Sequence, residues 1–460
     1  MKDRDELHFS DSDVSSAVIE PINDGGEAQI PLDENLRKEL ERPTISSLLD
    51  LDLYKLTMGQ FAWRHFPNVP VTYEFTNRTS SVAVAEHVPQ PILEAQLKRI
   101  QNLSVSEAEI AYLKTVKVGD HRTFTNDYLD SLRDLHLPDV HVSKENGQYH
   151  ISTKGPWAQA IYWETLILST VNELYYRSIL AKSGKTAAEV KNTGRERLQA
   201  KIDKLKTYIA AEREQGRTGP MFMDFGTRRR FAGDWQEEVV SEIAEAFPDN
   251  FTGTSNVNIA SKLGVPARGT FAHEMDMVFS GIFHEEDDAA GAFTSHNKLL
   301  DMWYDEHGAP LSVALTDTYG SDFFFANFSP EQARKWNGIR QDSGDPIEFG
   351  ERAIRFYKEH GIDPNTKTVV FSDGLDIDSI ISIYEHFKGR LRSSFGWGTT
   401  LTNDVGFKTL SLVVKATEAN GHKTTKLSDN LAKATGDPTT KERAVRLAGY
   451  TRNFFQECQV

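Results

Sequence analysis

Residues 251–274 read FTGTSNVNIASKLGVPARGTFAHE. Two Gly-Thr turns, Gly253-Thr254 and Gly269-Thr270, flank a helix-like run at 256–263. Glycine lets a backbone approach a ligand closely, and a threonine hydroxyl can add a hydrogen bond. His273 follows the second turn, where it could lie at the mouth of a phosphate site. For this stretch by itself, an ordinary, partly buried histidine in a strand-turn-helix connection is the favoured interpretation, because catalytic histidines are the minority.

Short apolar strands alternate with helical segments on both sides of this stretch. The predicted strands are 221–225, 266–270, 311–316, 338–341, 368–372 and 391–396, and the predicted helices are 234–246, 293–306, 348–359 and 376–388. Such alternation is typical of parallel strands joined by crossover helices, and the number of units favours a barrel over an open sheet. We therefore predict an α/β protein with an irregular TIM-like barrel, whose functional groups follow the carboxyl ends of the strands.

The segments outside this alternation predict a second, α+β domain. VTYEFTNR at 71–78 alternates as a strand does, and another strand is expected at 410–416 in the tail. We predict that 44–156 form this domain, that 409–460 complete it, and that 157–408 form the barrel. Residues 1–43 are polar and acidic, and we expect them to be a mobile leader.

Composition excludes several classes of protein. The chain has 460 residues, of which 39% are hydrophobic and 26% charged, as in an ordinary globular protein with a sizeable core. A net charge of -15 argues against a nucleic-acid or membrane-surface partner, although a local basic pocket is compatible with it. The single cysteine, Cys458, allows no internal disulfide. Without an apolar spanning or secretory segment, we expect a cytoplasmic location, with the nucleus as a second compartment.

An aromatic ring and a run of arginines follow the first predicted barrel strand. Phe225 could stack on a flat ring, and Arg228 suits a carboxylate or phosphate. A basic surface turn explains Arg229 and Arg230 equally well. Phe225 with Arg228 is therefore the more specific pair.

Carboxylates follow two later strands. Asp317 could fix the tautomer of a histidine, hold a metal through water, or simply cap a helix. In RQDSGDP, Arg340 suits a phosphate, and Asp342 suits ribose hydroxyls or a Mg²⁺-bound diphosphate. A capped helix start explains Pro346, but it does not require Arg340 and Asp342.

Glycine turns end the last two predicted strands, at Gly374 and at 396–400. Their backbone N–H groups could form a phosphate cradle, which barrel enzymes often place on their last strands. The residues alone therefore predict a barrel that binds a phosphorylated sugar and a flat ring, with a histidine near the chemistry. They do not define the reaction.

The motifs in this order resemble the nicotinate phosphoribosyltransferase family, from about residue 47 to about residue 429. The motifs are SLLDLDLYKLTM, KGPW followed by WET, MDFGTRRRF, FTGTSN, GTFAHE, ALTDTY, RQDSGDP, FSDGLD, FGWGTTLTND and KLSD. The resemblance implies that nicotinate attacks C1 of phosphoribosyl diphosphate, giving nicotinate mononucleotide and diphosphate for NAD biosynthesis. It also implies ATP hydrolysis through a phosphohistidine, a need for Mg²⁺, and a homodimer with shared active sites.

The same resemblance implies roles for single residues. His273 would be the phosphorylated histidine, and Asp317 would orient it. Tyr54, expected from the partner subunit, and Phe225 would contact the nicotinate ring, while Arg228 would face its carboxylate. The remaining contacts would be Thr270 to nicotinate or phosphate, Arg340 and Asp342 to the phosphoribosyl group, and Gly374, Gly398 and Thr399 to the 5′-phosphate.

One residue bears on the choice of substrate. The related nicotinamide enzyme has an aspartate at the position of Ser255, so the serine here favours nicotinate by leaving out a repelling charge. The alternatives are a nicotinamide-using or ATP-independent phosphoribosyltransferase and a non-catalytic nucleotide sensor. Ser255 argues against the amide substrate and His273 against ATP independence. A sensor would be expected to lack His273, Arg340 or Asp342, and all three are present.

Overall fold

Three β-sheets organise residues 34–452, the part of the chain that the computed structural model describes. The strands are β1 (Pro70–Asn77), β2 (Lys117–Val118), β3 (His121–Arg122), β4 (Val140–Glu145), β5 (Gln148–Pro156), β6 (Met221–Asp224), β7 (Phe251–Thr254), β8 (Val313–Leu315), β9 (Gly338–Gln341), β10 (Thr368–Phe371), β11 (Arg392–Trp397), β12 (Leu412–Ala419) and β13 (His422–Lys423).

The helices surround and connect these sheets. They are α1 (Glu34–Glu41), α2 (Leu53–His65), α3 (Gln90–Gln101), α4 (Glu107–Leu113), α5 (Asn126–Ser131), α6 (Trp157–Ala160), α7 (Trp163–Lys182), α8 (Ala187–Glu214), α9 (Gly233–Ala246), α10 (Val257–Leu263), α11 (Glu274–Ile282), α12 (His284–Ala290), α13 (Thr294–Leu311), α14 (Ser321–Asn327), α15 (Pro330–Lys335), α16 (Pro346–Glu359), α17 (Ile377–Phe387), α18 (Thr399–Thr402) and α19 (Pro438–Ala448). None of those in the described part of the chain combines the length and apolar character needed to span a bilayer.

The six-stranded sheet is parallel throughout, in the order β7-β6-β11-β10-β9-β8. Its first strand in the chain, β6, pairs with its last, β11, as the ends of a barrel do. Within residues 34–452 the strand order leaves β7 and β8 unjoined. The predicted α/β architecture with an irregular barrel is confirmed, and the irregularity lies between these two strands.

The sequence-based assignment is wrong around this break. Residues 266–270, predicted as a strand, contribute one parallel bridge, between Ala267 and Thr254. Pro266 lacks an N–H, and Gly269 has a φ of +154°, so the pairing does not extend. Conversely, Gly253-Thr254 is the end of β7 and not the predicted turn. A side chain at Gly253 would lie 2.0 Å from the Pro266 carbonyl oxygen, which explains the glycine.

The five-stranded sheet is antiparallel, in the order β13-β12-β1-β5-β4. The tail strand β12 lies beside β1, so the segments at the two ends of the described chain share one sheet. Every second residue of β1 from Val71 to Phe75 is buried, as a sheet with one covered face requires. Helix α11 packs against β12 so closely that a side chain at Gly281 would lie 2.6 Å from the Ala419 carbonyl oxygen.

Ordered structure begins before the predicted boundary of the leader. Helix α1 falls within residues 1–43 and buries Leu36 and Leu40, which lie four residues apart on one helical face. The burial of these two leucines explains why this polar segment forms a helix. The rest of the predicted leader, residues 1–33, lies outside the described residues.

Candidate active site

An open cleft of about 290 Å³ lies at the carboxyl ends of the parallel strands. The register of β6, β9, β10 and β11 aligns these ends, so the loops that follow them meet. The volume is near the lower limit for small-molecule sites, about 300 Å³. The predicted residues that line it are Tyr54, Phe225, Arg228, Ser255, His273, Arg340, Asp342, Gly374, Gly398 and Thr399.

Two predicted residues lie outside this lining. Asp317 is buried behind His273, and it is described below. Thr270 is partly buried, and its carbonyl oxygen accepts a hydrogen bond of 2.9 Å from the Thr57 hydroxyl on α2. Thr270 is not among the residues that line the cleft, although its neighbour Gly269 is, so its contact with a ligand stays a prediction.

Two aromatic residues define one end of the cleft, which we call the ring end. Phe225 packs over Gly396 so tightly that a Cβ there would lie 2.4 Å from its Cδ2. Tyr54 is buried, and its hydroxyl has no hydrogen-bond partner among the described residues. It belongs to the same chain as the rest of the cleft, and the contribution of this residue by a partner subunit stays a prediction.

Arg228 lies at the ring end between two carboxylates. Its Nη1 is 3.5 Å from Glu164 Oε1 and its Nε is 3.8 Å from Asp52 Oδ2. Both separations exceed a normal hydrogen bond. The guanidinium is nevertheless close to both counter-charges. Because its side chain is 39% exposed, it is also accessible to a ligand.

Ser255 forms a hydrogen bond with Asp52, a carboxylate to which sequence reasoning assigned no role. Its hydroxyl donates a 2.6 Å hydrogen bond to Asp52 Oδ1, and Asp52 also lines the cleft. Burial raises the pKa of Asp52, although Arg228 and Ser255 oppose the rise. The signal was present in DLDLYK, where two aspartates stand beside an apolar helical stripe. The other aspartate, Asp50, binds both terminal nitrogens of Arg230, at 2.6 and 2.7 Å, so Arg230 is structural rather than part of a surface turn.

His273 lies at the other end of the cleft, which we call the histidine end. Its Nδ1 is 3.0 Å from the Thr318 hydroxyl, which itself donates to Asp276 at 3.0 Å. The Thr318 oxygen therefore accepts from Nδ1–H, which leaves the lone pair on Nε2. Lys426 Nζ donates to that nitrogen at 2.7 Å.

Burial and then Lys426 lower the pKa of His273 to about 4. The ring is consequently neutral at pH 7, with Nε2 as its nucleophilic nitrogen. Asp342 Oδ2 is 3.1 Å from Nε2 and is the nearer of two carboxylates. Nε2 thus lies between the cationic ammonium group of Lys426 and the anionic carboxylate of Asp342.

Asp317 acts on this nitrogen mainly through Lys426. Its Oδ1 is 3.6 Å from His273 Nε2, whereas its Oδ2 is 3.3 Å from Lys426 Nζ and accepts from Ser343 at 2.6 Å. Burial alone would raise the pKa of Asp317, but Lys426 and His273 lower this pKa to about 2. The carboxylate is therefore ionised and anchors the lysine.

The phosphate-binding prediction corresponds to a positively charged part of the cleft. Lys433 Nζ donates to the Asp342 carbonyl oxygen at 2.9 Å and pairs with Asp373. Gly374 has a φ of +57°, and a side chain there would meet no other atom within 4 Å. The cleft is lined by seven arginines and lysines against four carboxylates, so it favours anionic ligands although the chain as a whole is acidic.

Sequence reasoning missed four of these cations, Arg78 directly after β1 and three lysines. Lys415, Lys426 and Lys433 come from the tail, which was predicted only to return to the N-terminal domain. Lys426 stands in KLSD, one of the motifs of the resemblance, and that was the available signal. A lone lysine in a tail carries no spacing pattern, so its place beside His273 could not be read from the residues around it.

A metal ion fits the histidine end poorly. His273, Asp317 and Asp342 each offer one ligand atom, and these atoms lie within 4.8 Å of one another. Mg²⁺ prefers oxygen ligands and keeps several waters. The ammonium group of Lys426 lies 3.3 Å from Asp317 and 4.0 Å from Asp342, and it already supplies the positive charge there.

The chain is similar to known proteins over most of its length. The N-terminal domain model of the nicotinate phosphoribosyltransferase (NAPRTase) family matches residues 49–172, and the NAPRTase family model matches residues 221–448. The crystal structure of nicotinate phosphoribosyltransferase from Vibrio cholerae is 31% identical, with a TM-score of 0.78, and the match covers 90% of this chain and 95% of that one.

Two further solved structures are similar over nearly their whole length. Nicotinate phosphoribosyltransferase from Porphyromonas gingivalis is 30% identical, with a TM-score of 0.75, over 88% of this chain and 100% of that one. A putative nicotinate phosphoribosyltransferase from Saccharomyces cerevisiae is 28% identical, with a TM-score of 0.74, over 89% and 99%. These matches confirm the resemblance drawn from the motifs.

Proposed function

The chain belongs to the nicotinate phosphoribosyltransferase family, and from this premise we propose that it transfers a phosphoribosyl group to nicotinate with ATP hydrolysis through a phosphohistidine at His273. The observation that carries the proposal is that one cleft contains both a ring-and-arginine end and a neutral, buried histidine. The transferase half rests on the ring end and the cations, and the ATP half rests on the histidine end.

At the ring end, the chemistry needs position rather than a base. The carboxylate of nicotinate suits Arg228, and its ring suits Phe225 and Tyr54. The pyridine nitrogen already carries the lone pair that attacks C1. Holding the two reactants at contact distance supplies much of the rate acceleration.

At C1 of phosphoribosyl diphosphate, the bond to the diphosphate oxygen breaks as the bond to the pyridine nitrogen forms. The bonding electrons leave with diphosphate, and the ribose passes through a cationic, oxocarbenium-like state. Arg340, Lys415 and Lys433 line the cleft and can neutralise the leaving charge. We expect Mg²⁺ to be held chiefly by phosphate oxygens, as this ion usually is in phosphate sites.

At the histidine end, Nε2 attacks the γ-phosphorus of ATP, the bond to the β-γ bridging oxygen breaks, and ADP leaves. Water later hydrolyses the P–N bond and releases phosphate. In between, the ring carries about two additional negative charges. These charges attract Lys426 away from Asp317 and repel Asp342, which would change the shape of the cleft during the transfer step.

The test measures nicotinate mononucleotide formation with and without ATP, together with acid-labile phosphate on the protein from γ-labelled ATP. We expect ATP to raise the amount of nicotinate mononucleotide that the wild-type enzyme forms. His273→Ala should lose both the protein-bound phosphate and this response to ATP. The control is His141→Ala, because His141 is exposed on β4. Product formation that ignores both ATP and His273 would refute the coupling and keep the transferase.

One observation favours a second substrate. Asp52 lies beside Ser255 at the ring end and could accept a hydrogen bond from an amide NH₂. A direct competition between nicotinate and nicotinamide decides between them. Product from nicotinamide alone would overturn the assignment of Arg228 to a carboxylate.

The homodimer with shared active sites remains a proposal, and this chain also supplies its own Tyr54 to the cleft. Specific activity that stays constant on dilution below the dimer dissociation constant would show that a single chain holds a working site.

A further inference from the structure

Glu164 is a buried carboxylate near which three cations from different parts of the chain converge. Its side chain is 3% exposed and lies in the first turn of α7. Lys55 Nζ is 2.6 Å from its Oε2, while Arg228 Nη1 and Lys415 Nζ are each 3.5 Å from its Oε1. Burial alone would raise the pKa of Glu164, but these three cations hold it well below its usual range.

Lys55 extends this cluster toward the histidine end. It is fully buried and also binds Glu274, the first residue of α11. The other carboxylate oxygen of Glu274 accepts from the Trp157 indole at 2.8 Å and the Tyr73 hydroxyl at 2.5 Å. Glu274 directly follows His273 in the chain, so a series of alternating charges runs from Arg228, at the cleft, through buried Glu164 and Lys55 to the neighbour of the histidine.

The contacts in this series are unequal. Lys55 is held tightly by both of its carboxylates, whereas Arg228 and Lys415 stand further from Glu164 and line the cleft. Glu164 Oε1, which faces these two cations, has no hydrogen-bond partner among the described residues. The buried half of the series is therefore fixed, and the half at the cleft can respond to a ligand.

We propose that Glu164 is a positioning residue that holds Arg228 and Lys415 at the cleft and, through Lys55 and Glu274, couples occupancy of the ring end to the geometry of His273. The inference rests on the proposed function. When a nicotinate carboxylate draws Arg228 away from Glu164, only Lys55 and Lys415 of the three cations still neutralise the charge of Glu164. The pull of Glu164 on Lys55 then increases, and the contact between Lys55 and Glu274 transmits the change to the start of α11.

The test is Glu164→Gln, which removes the charge and keeps the shape. We expect the KM for nicotinate to rise about tenfold, the equivalent of one weakened charged contact. We also expect nicotinate to lose its effect on the rate of His273 phosphorylation. In the wild type, that rate should differ between enzyme with and without saturating nicotinate.

A pH profile separates a charge effect from general loosening. Burial lowers the pKa of Lys415 to about 8, with Glu164 opposing this shift and Arg228, Lys426 and Arg78 adding to it. Without the charge of Glu164 the lysine loses its proton at lower pH, so the alkaline limb of kcat/KM should move down. Glu164→Asp keeps the charge and should keep the limb in place, even where the shorter side chain raises KM.

The matched control is Glu173→Gln. Glu173 lies on the same helix, is equally buried, and pairs with Arg177 at 2.6 Å, outside the cleft lining. If both glutamine variants have the same KM and the same pH profile, the positioning role is refuted. If Glu164→Gln does not fold, Lys415→Met replaces it, and an alkaline limb that survives in that variant overturns the proposal. A wild-type enzyme that forms no product would instead refute the proposed function.

Discussion

The two ends of the cleft differ in how far their charges are paired before any ligand binds. At the histidine end, His273 is 4% exposed, Lys426 lies 2.7 Å from its Nε2, and Asp342 lies 3.1 Å away. At the ring end, Arg228 is 39% exposed in its side chain and 3.5 Å or more from both of its carboxylates. Burying an unpaired charge costs several kcal/mol, so the charges at the buried end must be paired with one another in the free protein. At the exposed end, water solvates Arg228, so its charge can stay loosely paired until a ligand binds.

The largest test of this contrast removes the ring-end cation. Arg228→Met should lower kcat/KM for nicotinate by about 100-fold, since losing one partner of a ligand charge pair typically costs about 2–5 kcal/mol. Phosphorylation of His273 in the absence of nicotinate should remain. The control is Arg195→Met, because Arg195 pairs with Glu238 on the surface of α8. Unchanged kinetics in Arg228→Met would show that the ring end does not bind a carboxylate.

A smaller effect is expected from moving the ring without touching a charge. In Gly396→Ala, the new Cβ would lie 2.4 Å from Phe225 and displace its ring, and misplacement of this kind should cost about tenfold in kcat/KM. Gly350→Ala is a matched control, since its Cβ would lie 2.2 Å from the Phe387 ring on α17, away from the cleft. Equal losses of kcat/KM at equal losses of stability would contradict a specific role for Phe225.

The histidine end can be tested through its tautomer. Thr318→Val removes the acceptor for Nδ1–H, so the tautomer with the proton on Nε2 becomes competitive. We expect phosphohistidine to form about fivefold more slowly, the equivalent of about 1 kcal/mol for one hydrogen bond. Thr318→Ser should restore the rate. A valine variant as fast as wild type would show that Thr318 does not set the tautomer.

The smallest effect is a shift in titration. Because the pKa of His273 is about 4, the neutral form should persist from pH 8 down to about pH 5, and phosphorylation should be flat over that range. Lys426→Met removes one cause of the low pKa and leaves Asp317 and Asp342, which raise it, so the ring should then gain its proton at higher pH. NMR titration of the ring proton, assigned with His273→Gln, measures both. A wild-type ring that titrates near pH 6.5 would contradict the pairing of this end.

Local pattern predicted most of the barrel. Strand 338–341 has the bounds of β9, and helices 234–246, 348–359 and 376–388 correspond to α9, α16 and α17 within two residues at each end. The failure at Gly253 and at 266–270 has one cause. A glycine needed for the close approach of two strands cannot be distinguished locally from a glycine in a turn.

The sequence by itself determined the alternation of strands and helices, the family, and the residues that follow the strand ends, because these depend on neighbours in the chain. The tertiary structure decided the charges around them. Lys426 reaches His273 across 153 positions, and Lys55 joins Glu164 to Glu274. Electrostatic interaction depends on distance and burial, so only the folded chain settles which histidine nitrogen carries the lone pair and which cation stays exposed in the cleft.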